Sequence, residues 1–193
     1  MSESARMFVA ARVPEDVRAE LSRWSRTAVA GREGVRRLTP ETLHITLCFL
    51  GEQPLSCVGD LAGVLGGAAE AVAALGDLAT GPPVWLPPRR PRVLAVEIGD
   101  PAGALGKLRA RLAADIAATI AWASGRERFR PHVTVARVRV VDARKGGRRE
   151  LAAGADLPPT PQLCFVCDTV ALLRSHLEPS GARYEELASV GGW

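Results

Sequence analysis

Leu43-His44-Ile45-Thr46-Leu47-Cys48-Phe49-Leu50-Gly51 has a counterpart downstream in Arg130-Pro131-His132-Val133-Thr134-Val135-Ala136. Each stretch holds a tetrad of His, an apolar residue, Thr and an apolar residue. Two of the chain's three histidines sit in these tetrads. Both are β-branched and apolar, which predicts strands. Residues i and i+2 of a strand share a face. His44 and Thr46 therefore point one way, as do His132 and Thr134. Ile45, Leu47, Val133 and Val135 point the other way, into a core. Each strand offers a cleft one imidazole and one hydroxyl, backed by hydrocarbon.

Working outward, residues 7–11 (Met-Phe-Val-Ala-Ala) predict a first strand. Pro14 opens a helix at its first turn, where the missing N–H costs nothing. Glu15 and Asp16 suit the positive helix end. Val17, Leu21, Trp24 and Ala28 mark the buried side by their spacing, and Gly31 and Gly34 end the helix. Residues 35–38 predict a short strand, and Thr39-Pro40-Glu41 a turn into the first tetrad. Residues 56–75 carry apolar positions at helical spacing, interrupted by Gly66-Gly67, each Gly costing about 1 kcal/mol relative to Ala. Residues 84–86 fit a short strand between the breakers Gly81-Pro82-Pro83 and Pro87-Pro88, and 92–98 a clearer one. Asp100-Pro101 predicts a helix start with Asp as N-cap and Pro next. Leu105, Leu108, Leu112 and Ile116 trace its apolar face, and it ends near 122–125. The second tetrad strand runs to about 141, the basic loop 144–149 follows, and 163–173 predict one long strand. Ser180-Gly181 turns the chain into a final hairpin strand, 184–190.

Hairpin-paired strands imply antiparallel sheet, so the fold class is α+β. The tetrads lie 88 residues apart, close to half of a 193-residue chain. Strand, long helix and tetrad strand recur in each half. The expectation is a single domain, residues 1–193, made of two similar lobes that each contribute one tetrad.

The apolar fraction of 47% fills a core, and no run resembles a membrane span. Residues 1–6 lack the apolar centre and cleavage site of a signal peptide. A cytoplasmic protein with reduced cysteines is the expectation. Cys164 and Cys167 lie in a strand-like run, and a spacing of three puts them on opposite faces, poor geometry for one metal ion. Buried, unreactive thiols are expected instead. A net charge of +4 favours an anionic partner without identifying one.

Two His-x-Thr strands facing each other suit attack on phosphorus in a phosphodiester. The nucleophile enters opposite the leaving oxygen, so a base is needed on one side and an acid on the other. Histidine serves either role, with an unperturbed pKa of ~6.5. Charge builds on the non-bridging oxygens, and Thr46 and Thr134 supply donors on the same faces. No metal or cofactor is required.

The pairing resembles the 2H phosphoesterases, which are named for two His-x-Thr-x motifs. The flanks are similar to those of the RNA 2′,3′-cyclic phosphodiesterases once called 2′-5′ RNA ligases. They include Met7-Phe8-Val9-Ala10 with Val13-Pro14-Glu15, Pro40-Glu41-Thr42-Leu43, Phe49-Leu50-Gly51-Glu52, Phe129-Arg130-Pro131 and Leu173-Arg174-Ser175-His176-Leu177 with Gly181 and Tyr184. Arg37-Leu38 stands where such proteins often carry an aromatic residue, and Cys48 where they often carry a base. The resemblance implies a bilobal α+β fold, two antiparallel sheets with helices outside and a central cleft carrying one motif per lobe. It implies hydrolysis of RNA or nucleoside 2′,3′-cyclic phosphate to the 2′-phosphomonoester. His44 would protonate the 3′-leaving oxygen, His132 would take the proton from water, and Thr46 and Thr134 would hold phosphate oxygens. Run backwards, the site would join a 5′-hydroxyl to the cyclic phosphate. The partner would be an RNA end, tRNA fragments among the candidates, or a small cyclic nucleotide, met by a monomer.

Arg130 and Arg174 fit either phosphate contacts or structural ion pairs. Phe8, Trp85 and Tyr184 fit either base stacking or core packing, and His176 has no Thr two residues on. The basic run 144–149 can steer RNA or simply be solvated. Three other functions compete with the leading one. A non-catalytic RNA-end-binding module predicts steeply salt-dependent binding and no product. A 2H phosphodiesterase for another cyclic-nucleotide-type substrate keeps the chemistry and changes the target. A metallohydrolase using His44 and His132 needs a third ligand at a suitable spacing.

Overall fold

The computed structural model describes residues 3–125, 128–138, 157–178 and 181–192. The basic run 144–149, the predicted extension of the second tetrad strand to 141, and Ser180 lie outside the described residues. The described chain runs β1 (Ser4–Arg12), α1 (Glu15–Ala28), β2 (Val35–Arg37), β3 (His44–Pro54), α2 (Val58–Gly67), α3 (Ala69–Ala73), β4 (Leu78–Leu86) and β5 (Val93–Gly99). It continues with α4 (Ala104–Thr119), β6 (His132–Val138), β7 (Cys164–Phe165), β8 (Thr169–Glu178) and β9 (Gly181–Gly191).

The strand pairs are all antiparallel, in the order β7-β4-β5-β6-β3-β1-β8-β9 with β2 on the flank of β6. This is the expected α+β arrangement, with one refinement. The two anticipated sheets are hydrogen-bonded into one, and their only described junction is Ile45 opposite Val133. These are the residues between His and Thr in the two tetrads. One face of the sheet buries Met7, Val9, Ile45, Leu47, Val133 and Val135 among the helices. On that side α1 packs against β2 and β6, α4 against β3, and α2 against β8 and β9. No helix of the described residues is long and apolar enough to cross a membrane.

Several elements depart from the sequence expectation for identifiable reasons. The helix expected over 56–75 breaks at Ala68, just after Gly66-Gly67, where the backbone leaves helical geometry (φ −94°, ψ 3°). The fourth helix starts at Ala104, not at Pro101, behind Gly103 in the left-handed region (φ 66°). Asp100 still serves its first turn from outside, accepting from Gly106 N–H at 3.0 Å. That helix also stops at Thr119, short of 122–125. Gly81-Pro82-Pro83 does not interrupt β4. A bulge between Thr80 and Pro83 absorbs them, and β7 pairs β4 only at Leu78 and Ala79, so the missing proline N–H groups break no ladder. The long strand expected over 163–173 is two strands, and β8 carries on to Glu178. Ser25, not Trp24, completes the buried stripe of α1, and Trp24 sends its indole N–H to the Pro158 carbonyl at 3.3 Å. Of the two thiols expected to be buried, Cys167 is buried but Cys164 is exposed, because β7 ends at Phe165 and Cys164 lies on the outward side of that short strand. Burial pushes the Cys167 thiol up to about 12.

Candidate active site

The two tetrads share more than their letters. Along β3, Val9 opposes Cys48 and Ala10 opposes Thr46, so Leu47 is an extra, unpaired residue. Along β6, Leu94 opposes Ala136 and Ala95 opposes Thr134, so Val135 is the extra residue. Each tetrad therefore ends in a β-bulge directly after its threonine, a device that turns a strand and re-aims its side chains. Each threonine faces an alanine across the ladder, Ala10 or Ala95, which leaves the space beside the hydroxyl open. The burial pattern is the same in both strands: His and Thr are half-buried, the two intervening and following apolar residues buried, the next residue buried, and the one after exposed.

Both imidazoles are oriented in the same way. His44 Nδ1 lies 2.7 Å from the Thr42 carbonyl oxygen, and His132 Nδ1 lies 2.8 Å from the Arg130 carbonyl oxygen. A carbonyl can only accept, so each Nδ1 carries a hydrogen and donates it. Nε2 is then the working nitrogen of both rings. His44 Nε2 is 3.1 Å from Thr46 Oγ1, which donates to the neutral ring. His44 also packs on Phe8 (centroids 4.9 Å) and meets Tyr184 edge-on (5.2 Å). This burial is the main reason its pKa is lowered to about 4. The Thr42 hydrogen bond opposes the shift, and the nearby Arg137 guanidinium and, after it, the His132 ring add to it. At neutral pH the His44 ring is uncharged.

His44, Thr46, His132 and Thr134 line a single cavity of about 330 Å³. Phe8 and Tyr184 line it too, so of the substrate-contact candidates these two are at the site. Trp85 does not line it and packs against the core. The structure does not bring Arg130 or Arg174 into the cavity. The Arg130 guanidinium pairs with Glu97, the residue opposite His132 on β5, and its contribution to the site is the carbonyl that holds His132. Arg174 sits 3.3 Å from Glu3, because it faces the same side of the sheet as the buried Met7 opposite it. His176 pairs with Glu185 at 2.7 Å.

Arg6, Arg36, Phe49 and Arg137 are among the further residues that line the cavity, and sequence reasoning did not pick these four out as contacts. Phe49 and Arg137 each stand five places after a tetrad histidine. Strict alternation puts an odd offset on the opposite face, but the bulge after each threonine reverses the parity and returns both to the cleft. The repeated odd offset was the only available signal. Phe49 is 69% exposed, and its carbonyl accepts from the Trp122 indole N–H at 3.0 Å. Among the described residues no three His, Cys, Asp or Glu side chains are grouped as metal ligands would be, so the third ligand of the metallohydrolase reading is not found there.

The fold that builds this cleft recurs in proteins of known structure. TT0787 of Thermus thermophilus superposes with a TM-score of 0.72 at 26% identity, covering 96% of this chain and 97% of that one. LigT of E. coli, solved in complex with 3′-AMP, superposes with a TM-score of 0.74 at 22% identity over 98% of both chains. The phosphodiesterase domain of MHV ns2 has the same fold at a TM-score of 0.59 and 11% identity, covering 94% of this chain and 98% of that one. No curated protein sequence matches the chain significantly. The model of the 2′-5′ RNA ligase superfamily matches residues 13–179, a span that takes in both tetrads, and the chain belongs to that superfamily.

Proposed function

We propose that the protein hydrolyses 2′,3′-cyclic phosphates at RNA ends, or on small nucleotides, to 2′-phosphomonoesters, with His44 and His132 as the acid–base pair and no metal in the reaction. The observation that carries this reading is that both His-x-Thr pairs line one cavity with each Nδ1 tied to a backbone carbonyl. In the forward reaction water attacks phosphorus and gives its proton to His132 Nε2. The bond from phosphorus to the 3′-oxygen breaks, and His44 Nε2 delivers a proton to that oxygen. Thr46 and Thr134 donate to the two non-bridging oxygens, where charge accumulates. In reverse, a 5′-hydroxyl replaces water and the product is a 2′-5′ linkage. The two halves act as lobes about an approximate two-fold axis between Ile45 and Val133. All four residues come from one chain, so a monomer suffices.

His44 must be cationic to act as the donor, and its lowered pKa requires the bound phosphate to restore the proton. The same burial favours a second reading in which the roles are exchanged and neutral His44 is the base. A cyclic phosphorothiolate with sulfur at the 3′ position separates them, since a thiolate leaves without a proton. With His44 as donor, H44A keeps near wild-type turnover of the sulfur analogue and loses about 10²–10⁴-fold on the oxygen substrate. Exchanged roles give that rescue to H132A instead.

The reaction itself is tested by incubating the protein with a cyclic-phosphate-ended oligonucleotide in EDTA and mapping the product. A 2′-phosphate is expected. A 3′-phosphate, or loss of turnover in EDTA, contradicts the proposal. Binding with steep salt dependence and no product would support the non-catalytic alternative.

A further inference from the structure

The reaction cavity has a neighbour. A second cavity of about 300 Å³ adjoins it and shares two of its walls, His44 and Tyr184. The strand pairing explains its shape. Ala10 stands opposite Thr46, on the cleft face of β1. Ala171 stands opposite Ala10, and Leu173 opposite Phe8, so β8 continues that face. Their chain neighbours Val9, Ala11, Val170 and Leu172 turn the other way and belong to the core. Ala10 and Ala171 are also buried but lie outside that core, and two methyl groups side by side leave the floor of the second cavity low. Tyr184 adds a flat aromatic wall, and Leu43 and Leu173 complete the apolar lining. The rim is polar, with Arg18 on α1, Glu41 just ahead of β3, and Arg12 paired with Glu186. The Arg18 guanidinium is poorly engaged. Its Nη1 donates to the Pro40 carbonyl at 3.4 Å, and its buried Nε finds no acceptor among the described residues. An acceptor group on a ligand beside it offers the partner that the protein does not.

In the proposed reaction His44 delivers its proton to the 3′-oxygen, which belongs to the ribose of the terminal nucleoside. That nucleoside therefore extends from the phosphorus towards His44, where the second cavity lies. Resting on that reading, we infer that the second cavity seats the nucleobase of the nucleoside carrying the cyclic phosphate. The base lays its faces against the alanine floor and the Tyr184 ring and turns its polar edge to Arg18 and Glu41. A guanidinium donates to carbonyl oxygens and ring nitrogens, and a carboxylate accepts from amino and ring N–H groups. Each RNA base carries both kinds of edge group, so the rim suits a nucleobase as a class and selects no single one. Stacking an unpaired base on an aromatic ring and bonding its edge is how single-stranded RNA ends are commonly held.

Two substrates test this: adenosine 2′,3′-cyclic phosphate and methyl β-D-ribofuranoside 2,3-cyclic phosphate, which has the same reacting group and no base. The expected result is a kcat/KM at least about tenfold higher for the nucleotide. A171L fills the floor of the second cavity, and R18M removes its guanidinium from an exposed helix where the fold tolerates the change. Both should cut the ratio at least about threefold, with the base-free substrate as the internal control in each variant. A wild-type ratio below about tenfold, or a ratio cut by less than threefold in either folded variant, overturns the base site. If no cyclic phosphate is hydrolysed, calorimetry decides, comparing adenosine 2′-phosphate with methyl β-D-ribofuranoside 2-phosphate. Binding of the nucleotide about tenfold tighter, with that advantage cut in R18M, means that the reaction assignment fails and the base site stands. A smaller advantage, or one that R18M leaves intact, removes the base site as well.

Discussion

His44 is where structure and chemistry pull in opposite directions. Its ring is wedged against Phe8 and Tyr184, and desolvation lowers its pKa from 6.5 to about 4. The unfolded chain therefore binds this proton first as the pH falls. The stability that His44 lends by staying neutral is complete above about pH 6.5 and is lost as the pH drops towards 4, by an amount on the order of 3 kcal/mol. Urea unfolding of wild type and H44Q at pH 7 and pH 4 should show wild type losing more on acidification, by roughly that amount. Equal losses would mean the ring is not desolvated. A phosphate beside the ring favours the imidazolium, so NMR titration with a nucleoside 2′-phosphate should raise the His44 pKa by more than one unit. That His44, His132 and their threonines would face one cleft was legible in the sequence because residues at a spacing of two share a strand face. The positions of Arg130 and Arg174 were not, because charge alone does not say whether a guanidinium meets a phosphate or the nearest carboxylate.

At the scale of elements, alternation and helical spacing were enough to place most strands and helices, and capping chemistry set their ends less well. Asp100 illustrates this: the residue type marks a helix start, yet Gly103 in the left-handed region lets the carboxylate reach Gly106 from three residues further out than a simple N-cap. Asp100→Ala should still cost about 1 kcal/mol, read as a lower urea midpoint at unchanged slope. The bulges after Thr46 and Thr134 could not be read from residue types, since Leu47 and Val135 are ordinary strand residues. They are properties of the pairing, and they conceal Phe49 and Arg137 from any period-two reading. A second element-scale test concerns the segment leading to β7. Thr80 is buried, its hydroxyl donates to the Pro161 carbonyl and it accepts from Leu163 N–H at 2.9 Å. Thr80→Val leaves that N–H and that carbonyl without their partner and should cost about 1–3 kcal/mol in the same unfolding measurement.

For the whole molecule, the decisive feature is the junction between the two halves of the sheet. Ile45 and Val133 are fully buried and are the only described pair linking β3 to β6. They hold the two histidines at a common cavity although 88 residues of chain separate them. Ile45→Ala should cost about 2–5 kcal/mol through the cavity it leaves, and kcat should fall further than the folded fraction does, because the spacing of the two rings depends on this contact. That the halves would meet was suggested by the repeated tetrad; that they would fuse into one sheet was not, because a single bridging pair leaves no pattern in composition or periodicity. The most direct test of two imidazoles working on one phosphorus is a double-mutant cycle. kcat/KM on a cyclic-phosphate-ended oligonucleotide is measured for wild type, H44A, H132A and the double variant, with circular dichroism and unfolding curves showing that all four are folded. Each single variant should lose about 10²–10⁴-fold, and the double variant should lose far less than the product of the two, because the rings act in one step. Near-normal turnover in either single variant, or losses that simply multiply, would contradict the account.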